Sequence, residues 1–168
     1  MVRPFETCVC TNGLYLFVDE PVPGFIDLSK AIGLKDASIE WASDLQWVVL
    51  TLRTITHNHR NLQRISLKAS CESYIRFIDK GDPADLRDEI GRTLYQGWLE
   101  LDEVLVQLWE SHSIRSEVVY DTRRGIRARR AARRLESLLS GAVARGIVHL
   151  VERCTELPME LLGDGELV

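Results

Sequence analysis

The sequence predicts an α/β domain of degenerate helix–strand repeats, with the strands forming a mainly parallel sheet and the helices on one side of it. Three observations predict this. Helical apolar spacing occurs at three places, and each is followed by a short β-like run. From about residue 37 onward strands and helices alternate, which favours parallel strands joined by crossover helices. The alternating unit also recurs, as DLQWVVLTLRTITHNHRNLQRISL, ELDEVLVQLWESHSIRSEVVY and RLESLLSGAVARGIVHLVE show. Unit lengths differ, so the repeat is degenerate, and a compact α/β sheet sandwich is the alternative architecture.

Gly13–Asp19 and Ala37–Trp41 read as strands, with Pro21, Pro23 and Gly24 breaking the chain between them. Leu45, Val48, Val49, Leu52 and Ile55 then fall on one helical face. Ser43 is placed to cap that helix, and Asp44 suits its first turn. A strand follows over Leu62–Leu67, with apolar groups at 65 and 67. Residues 70–97 read as an acidic insertion, partly helical. Leu86, Ile90 and Leu94 support a short helix there, and Gly91 and Gly97 weaken it. Trp98, Leu101, Val104, Leu105 and Leu108 mark the second helix, followed by a strand at Glu117–Tyr120. Ala128, Ala131, Ala132, Leu135, Leu138, Leu139 and Ala142 mark the third. Gly146 is its stop, and Ile147–Val151 is a strand covered on both faces. Residues 1–156 thus make a single domain, and 157–168 are a tail or cap.

At 168 residues, the chain suits one domain that buries roughly 70% of its extended surface. With 45% hydrophobic and 27% charged residues, disorder is not expected. The N-terminus lacks the apolar core of a secretory signal, and the densest apolar stretch, Trp47–Leu52, falls far short of a membrane span. No membrane partner is expected. Cys8, Cys10, Cys71 and Cys154 have no framework spacing and read as reduced thiols, which implies cytosol or nucleus. A net charge of −4 opposes bulk attraction to nucleic acid.

Catalytic motifs do not emerge. His57-Asn58-His59-Arg60 lies where the first helix should end. There histidines complement the helix dipole and Asn tolerates left-handed geometry. Cys8-x-Cys10 with His57-x-His59 would supply four zinc-type ligands, but structural zinc pairs usually carry wider spacing. Ser111-His112-Ser113 is adjacent lettering at a helix end, without the separate acid a nucleophile needs. Asp102 and Glu103 point in different directions on a helix and read as solvated surface. No phosphate-cradling loop or dinucleotide fingerprint occurs. The expectation is no catalytic residue, no metal and no cofactor.

Arginine crowds residues 123–134. On a helix, Arg123, Arg127, Arg130 and Arg134 make one basic stripe opposite Ala128, Ala131, Ala132 and Leu135. The stripe suits phosphates, an acidic partner or an import receptor. The plainer reading has it paired with the acidic 82–103 segment, or simply solvated. No aromatic residue sits within it to stack on bases. Trp41, Trp47, Trp98 and Trp109 flank the helices and read as packing residues.

In TLRTITHNHRNLQRISL (51–67), VLVQLWESHSI (104–114) and LESLLSGAVARGIVHLVE (135–152), the chain resembles uncharacterised fungal proteins. These in turn are similar to the C-terminal leucine-rich-repeat-like part of F-box-type proteins. The matching stretches span roughly residues 35–153, and no F-box is visible before them. The resemblance implies a leucine-rich-repeat-like fold and a binding or scaffold surface, with no catalytic residues to carry over. The expected function is therefore a non-enzymatic module that binds another protein. Association with nucleic acid through the 123–134 helix is the alternative. Stacked units also predict that Leu14, Leu16 and Val18, or Ile147–Val151, would let copies pair if left as uncapped edges.

Overall fold

A strand buries every second side chain, and two short segments show this alternation plainly. Ala37, Ile39 and Trp41 are buried while Ser38 and Glu40 are not, and Ile65, Leu67 and Ala69 are buried while Ser66 and Lys68 are not. In a third segment Val118 and Tyr120 join the same core, and Val119 between them is buried outside it. In the computed structural model these segments belong to one sheet; the residues described are 6–10, 13–18, 24–41, 45–69, 89–122 and 126–154. Its strands are β1 (Glu6–Cys10), β2 (Gly13–Val18), β3 (Asp36–Trp41), β4 (Arg64–Ala69), β5 (Arg115–Thr122) and β6 (Val148–Cys154). Their spatial order follows the sequence from β1 to β6. β1 runs antiparallel to β2, and every later pair is parallel.

The helices are α1 (Leu45–Arg53), α2 (Glu89–His112), α3 (Ile126–Leu138) and α4 (Ser140–Ala144). Their apolar stripes join the inward strand residues in one core. It includes Trp47, Val48 and Leu52 of α1, Leu101 and Leu105 of α2, and Leu135 and Leu138 of α3. The α/β class and the parallel sheet are as expected. All described strands share the one sheet, so the sandwich alternative has no second layer of strands among the described residues.

Several expectations change in detail. β1 is an additional strand, paired from Glu6↔Phe17 to Cys10↔Gly13, so β2 is an inner strand and not an uncapped edge. β6 has one partner, β5, among the described residues. The strand expected at Leu62–Leu67 begins two residues later, with Leu62 buried just ahead of it. The strand expected at Glu117–Tyr120 extends over Arg115–Thr122.

The end of the 70–97 segment is not a separate short helix. Residues 89–97 are the opening turns of α2, which runs on through Gly91 and Gly97 to His112. Gly97 faces α1 closely; a Cβ there would lie 3.3 Å from Leu45 Cδ2, so the missing side chain lets the two helices meet. Residues 70–88, Ser43, Asp44 and the 157–168 tail lie outside the described residues.

The third periodic run is two helices. The chain leaves α-helical geometry at Leu139 and restarts at Ser140, while Leu139 stays buried. The stop at Gly146 has a physical basis. Its φ is +66°, Ile147 N–H donates to the Ala142 carbonyl (2.9 Å), and Gly146 N–H donates to the Val143 carbonyl (2.9 Å). This pair of bonds is a Schellman motif, and Ile147 and Ala142 at its two ends are both buried.

Candidate functional site: the open face of the sheet

Among the described residues strand order never reverses, so they form no topological switch point, the crevice where doubly wound sheets bind nucleotides. Opposite the helical core the described strands present one long face. In-register pairing aligns side chains on that face into rows across the strands. One row carries Tyr15, Ser38, Ser66, Glu117 and His149, and the next carries Glu40, Lys68, Val119 and Val151. Most of these residues are half-exposed, in contrast to the apolar rows behind them.

The first three parallel strands of this face satisfy one another. Tyr15 Oη–H donates to Glu40 Oε2 at 2.6 Å. The Lys68 ammonium rests 5.3 Å above the Tyr15 ring, reaching from β4 across β3 to β2. At the start of the strands, Arg64 pairs with Asp36 at 3.3 Å. Ser38 Oγ lies buried in the middle of this group with no hydrogen-bond partner among the described residues. The β5–β6 half differs, since Glu117 makes no hydrogen bond or ion pair among the described residues.

The residues singled out in the sequence lie elsewhere. Arg127, Arg130 and Arg134 are all on α3, while Arg123 lies outside the described residues. Arg133 is exposed. Arg134 is half-buried, with its Nε and Nη2 atoms out of solvent, so the stripe does not end in a free surface guanidinium. Of the acidic residues described near 100, Glu100 receives Gln46 Nε2 (3.2 Å) and pairs with Arg53 at 3.6 Å. Asp102 is not solvated surface. Its carboxylate accepts Gly141 N–H at 3.0 Å and Ala142 N–H at 2.8 Å, capping the start of α4 from α2. Gly141 leaves room for this carboxylate; a Cβ there would lie 2.7 Å from Asp102 Oδ2 and push it aside.

His57-Asn58-His59-Arg60 sits in the turn beyond α1 and not at the helix end itself. His59 is fully buried. Its Nδ1 accepts Thr56 N–H (3.0 Å), and its Nε2–H donates to the Leu28 carbonyl (2.8 Å). A carbonyl only accepts, so the proton sits on Nε2 and neither nitrogen is left for a metal. Among the described residues no three His, Cys, Asp or Glu side chains converge as a metal site. His112 Nε2–H donates to the Thr56 carbonyl at 2.9 Å, and Ser111 Oγ–H donates to the Gln107 carbonyl at 2.8 Å. The left-handed residue falls on Ser113 (φ 57°), which ends α2, and not on Asn58. The tryptophans pack: Trp41, Trp47 and Trp98 are buried, and Trp109 lies against the core. Trp41 and Trp98 meet at 6.2 Å with tilted rings.

No helix of the described residues is long and apolar enough to cross a membrane. Comparison with protein-family models, with curated proteins and with solved structures finds no match to this chain. The signal for this face lies in the alternate polar letters of ASIEW and RISLKA, which periodicity assigns to the surface without showing that they align.

Proposed function

We propose that the chain is a leucine-rich-repeat-like interaction module that binds another protein on the open face of its parallel sheet and catalyses no reaction. The supporting observation is the strand order: five parallel strands laid side by side in sequence, with the helical core behind them and aligned polar rows in front. A surface of this kind offers shape and side-chain rows, which suits a macromolecular partner.

The sequence around two of the strands supports the repeat reading. Leu62-x-x-Ile65-x-Leu67 follows the L-x-x-L-x-L pattern of such repeats with aliphatic residues throughout, Leu34-x-x-Ala37-x-Ile39 shares its spacing with Ala at the second position, and all six residues are buried. Their separation falls within the roughly 20–29 residues typical of one repeat. The resemblance to the C-terminal part of F-box-type proteins points the same way.

The test compares three forms of the protein in affinity capture. They are wild type, the sheet-face variant Lys68→Glu, and the helix variant Arg133→Glu. A specific partner should be recovered by wild type and by Arg133→Glu, and be lost with Lys68→Glu. A partner indifferent to Lys68→Glu and lost with Arg133→Glu moves the function to the arginine-rich helix. Salt-sensitive retention on heparin or nucleic acid that Arg127/Arg130/Arg134→Glu abolishes would then define a nucleic-acid role.

A further inference from the structure

The parallel strands all begin at one end of the sheet, and that end is basic. The described connections leading into β3, β4, β5 and β6 (24–35, 54–63, 113–114 and 145–147), with the first residue of each strand, carry six cations. These are Lys30, Lys35, Arg60, Arg64, Arg115 and Arg145, all exposed, against two acids, Asp27 and Asp36, in a chain of net charge −4. Arg145 is engaged locally, by the Gly141 carbonyl (3.4 Å) and Glu110 (4.0 Å). Three of the others stand side by side. The Lys35 carbonyl accepts Gln63 N–H at 2.8 Å, the Gln63 carbonyl accepts Arg115 N–H at 3.2 Å, and Arg64 is in register with Arg115. Like charges directly opposite on neighbouring strands destabilise a sheet. Asp36 relieves Arg64 from one side only, through an exposed pair of a kind that contributes little. Repulsion that the fold does not need marks a surface kept for a ligand.

We infer that this margin of the sheet binds a short carboxylate-rich segment of another protein. Arg64 and Arg115 offer two planar guanidinium forks one strand apart, suited to neighbouring carboxylates, and Lys35 and Arg60 add charge from the adjoining connections. The span from β3 to β5 is about 10 Å, the length of roughly three extended residues. A patch this short favours an acidic stretch of protein over nucleic acid, whose long charged backbone would also meet the negative remainder of the chain. The margin borders the open face and is a second contact, independent of what binds around Lys68.

Fluorescence anisotropy of the full chain with a labelled peptide of four consecutive Asp and Glu residues tests the assignment. The peptide should bind, more weakly as salt rises, and its Asn and Gln counterpart should not. Arg64→Gln and Arg115→Gln should each weaken binding on the order of tenfold, and Arg133→Glu should leave it unchanged. Arg115→Gln should nevertheless melt no lower than wild type, because it removes a repulsion. No binding, equal binding of the neutral peptide, or an affinity that Arg115→Gln leaves intact overturns the assignment. So does a lower melting temperature for Arg115→Gln, which would give this arginine a structural role. A DNA dodecamer held more tightly than the peptide overturns the choice of a protein partner. Binding lost only on Arg133→Glu overturns the site and moves it to α3.

Discussion

Between β3 and β4 the chain returns along the sheet as a helix, whereas the part described between β2 and β3, residues 24–34, returns as a loop. The helical return buries Leu45, Val48, Val49 and Leu52 on one stripe and Trp47 on the other side, and that burial holds it down. The loop buries Leu28 and Leu34 but leaves Phe25 and Ile32 exposed. Without helical periodicity it cannot direct all its apolar groups inward, and polar clamps from its neighbour hold it instead. Ile26 N–H donates to Thr51 Oγ1, Leu28 N–H to Thr54 Oγ1, and the Leu28 carbonyl accepts from His59. One sheet thus uses two kinds of attachment, non-directional burial and directed hydrogen bonds from the end of α1 and the turn after it. The second kind should fail locally, the first globally.

The largest effect expected from breaking this contrast comes from the helical side. Leu105→Ala, at a fully buried position of α2, should lower global stability by about 2–5 kcal/mol in denaturant unfolding, by lost burial plus the cavity left behind. Next comes His59→Leu, which removes both imidazole bonds and leaves the Thr56 N–H and Leu28 carbonyl without their partner. Each unpaired group costs about 1–3 kcal/mol. The loss should appear as faster amide exchange at Ile26 and Leu28 while α2 stays protected. If His59→Leu instead speeds exchange throughout α1 and α2, the loop belongs to the same cooperative unit as the helices.

The smallest effect lies in the loop itself. Asp27 accepts Ser29 N–H at 2.9 Å, and the Ser29 hydrogen bonds, aided by the charge of Lys30, hold its carboxyl below the usual carboxylate range. A lowered folded-state value means that this contribution is present at neutral pH and is lost as pH falls through the folded-state value. Wild type should therefore lose slightly more protection at Ser29 on acidification than Asp27→Asn does. Equal responses would remove Asp27 from the set of clamps.

Much of this fold was legible in the sequence because burial leaves a periodic trace. Leu45 to Leu52 and Leu101 to Leu108 announce their helices, and Ile65 with Leu67 announces a strand. The attachments of the loop leave no such trace. His59, Thr51 and Thr54 look like ordinary polar letters near a helix end, and their partners at Ile26 and Leu28 are distant in sequence. Asp102 was misleading for the same reason: nothing local tells a solvated acid from one that caps a helix beginning at Ser140. Gly97 lowers helix propensity, yet close approach to Leu45 favours it, a tertiary effect that propensity omits. The open face was half-legible. Alternation reveals which strand residues point outward, whereas their alignment into rows depends on register, which single strands do not encode.

The strand order carries a consequence for how the molecule is made. Each new strand from β2 to β6 docks on the one that left the ribosome just before it, so a template is present whenever a strand is ready. A doubly wound sheet must hold its central strand open for a later arrival. Here the order lets growth proceed outward from the β1–β2 hairpin in a single direction, with each closure spanning only the latest unit, which shortens the loops that folding has to close. Lengthening the connection between two neighbouring strands would delay the next docking event without exposing an inner strand to a wrong partner.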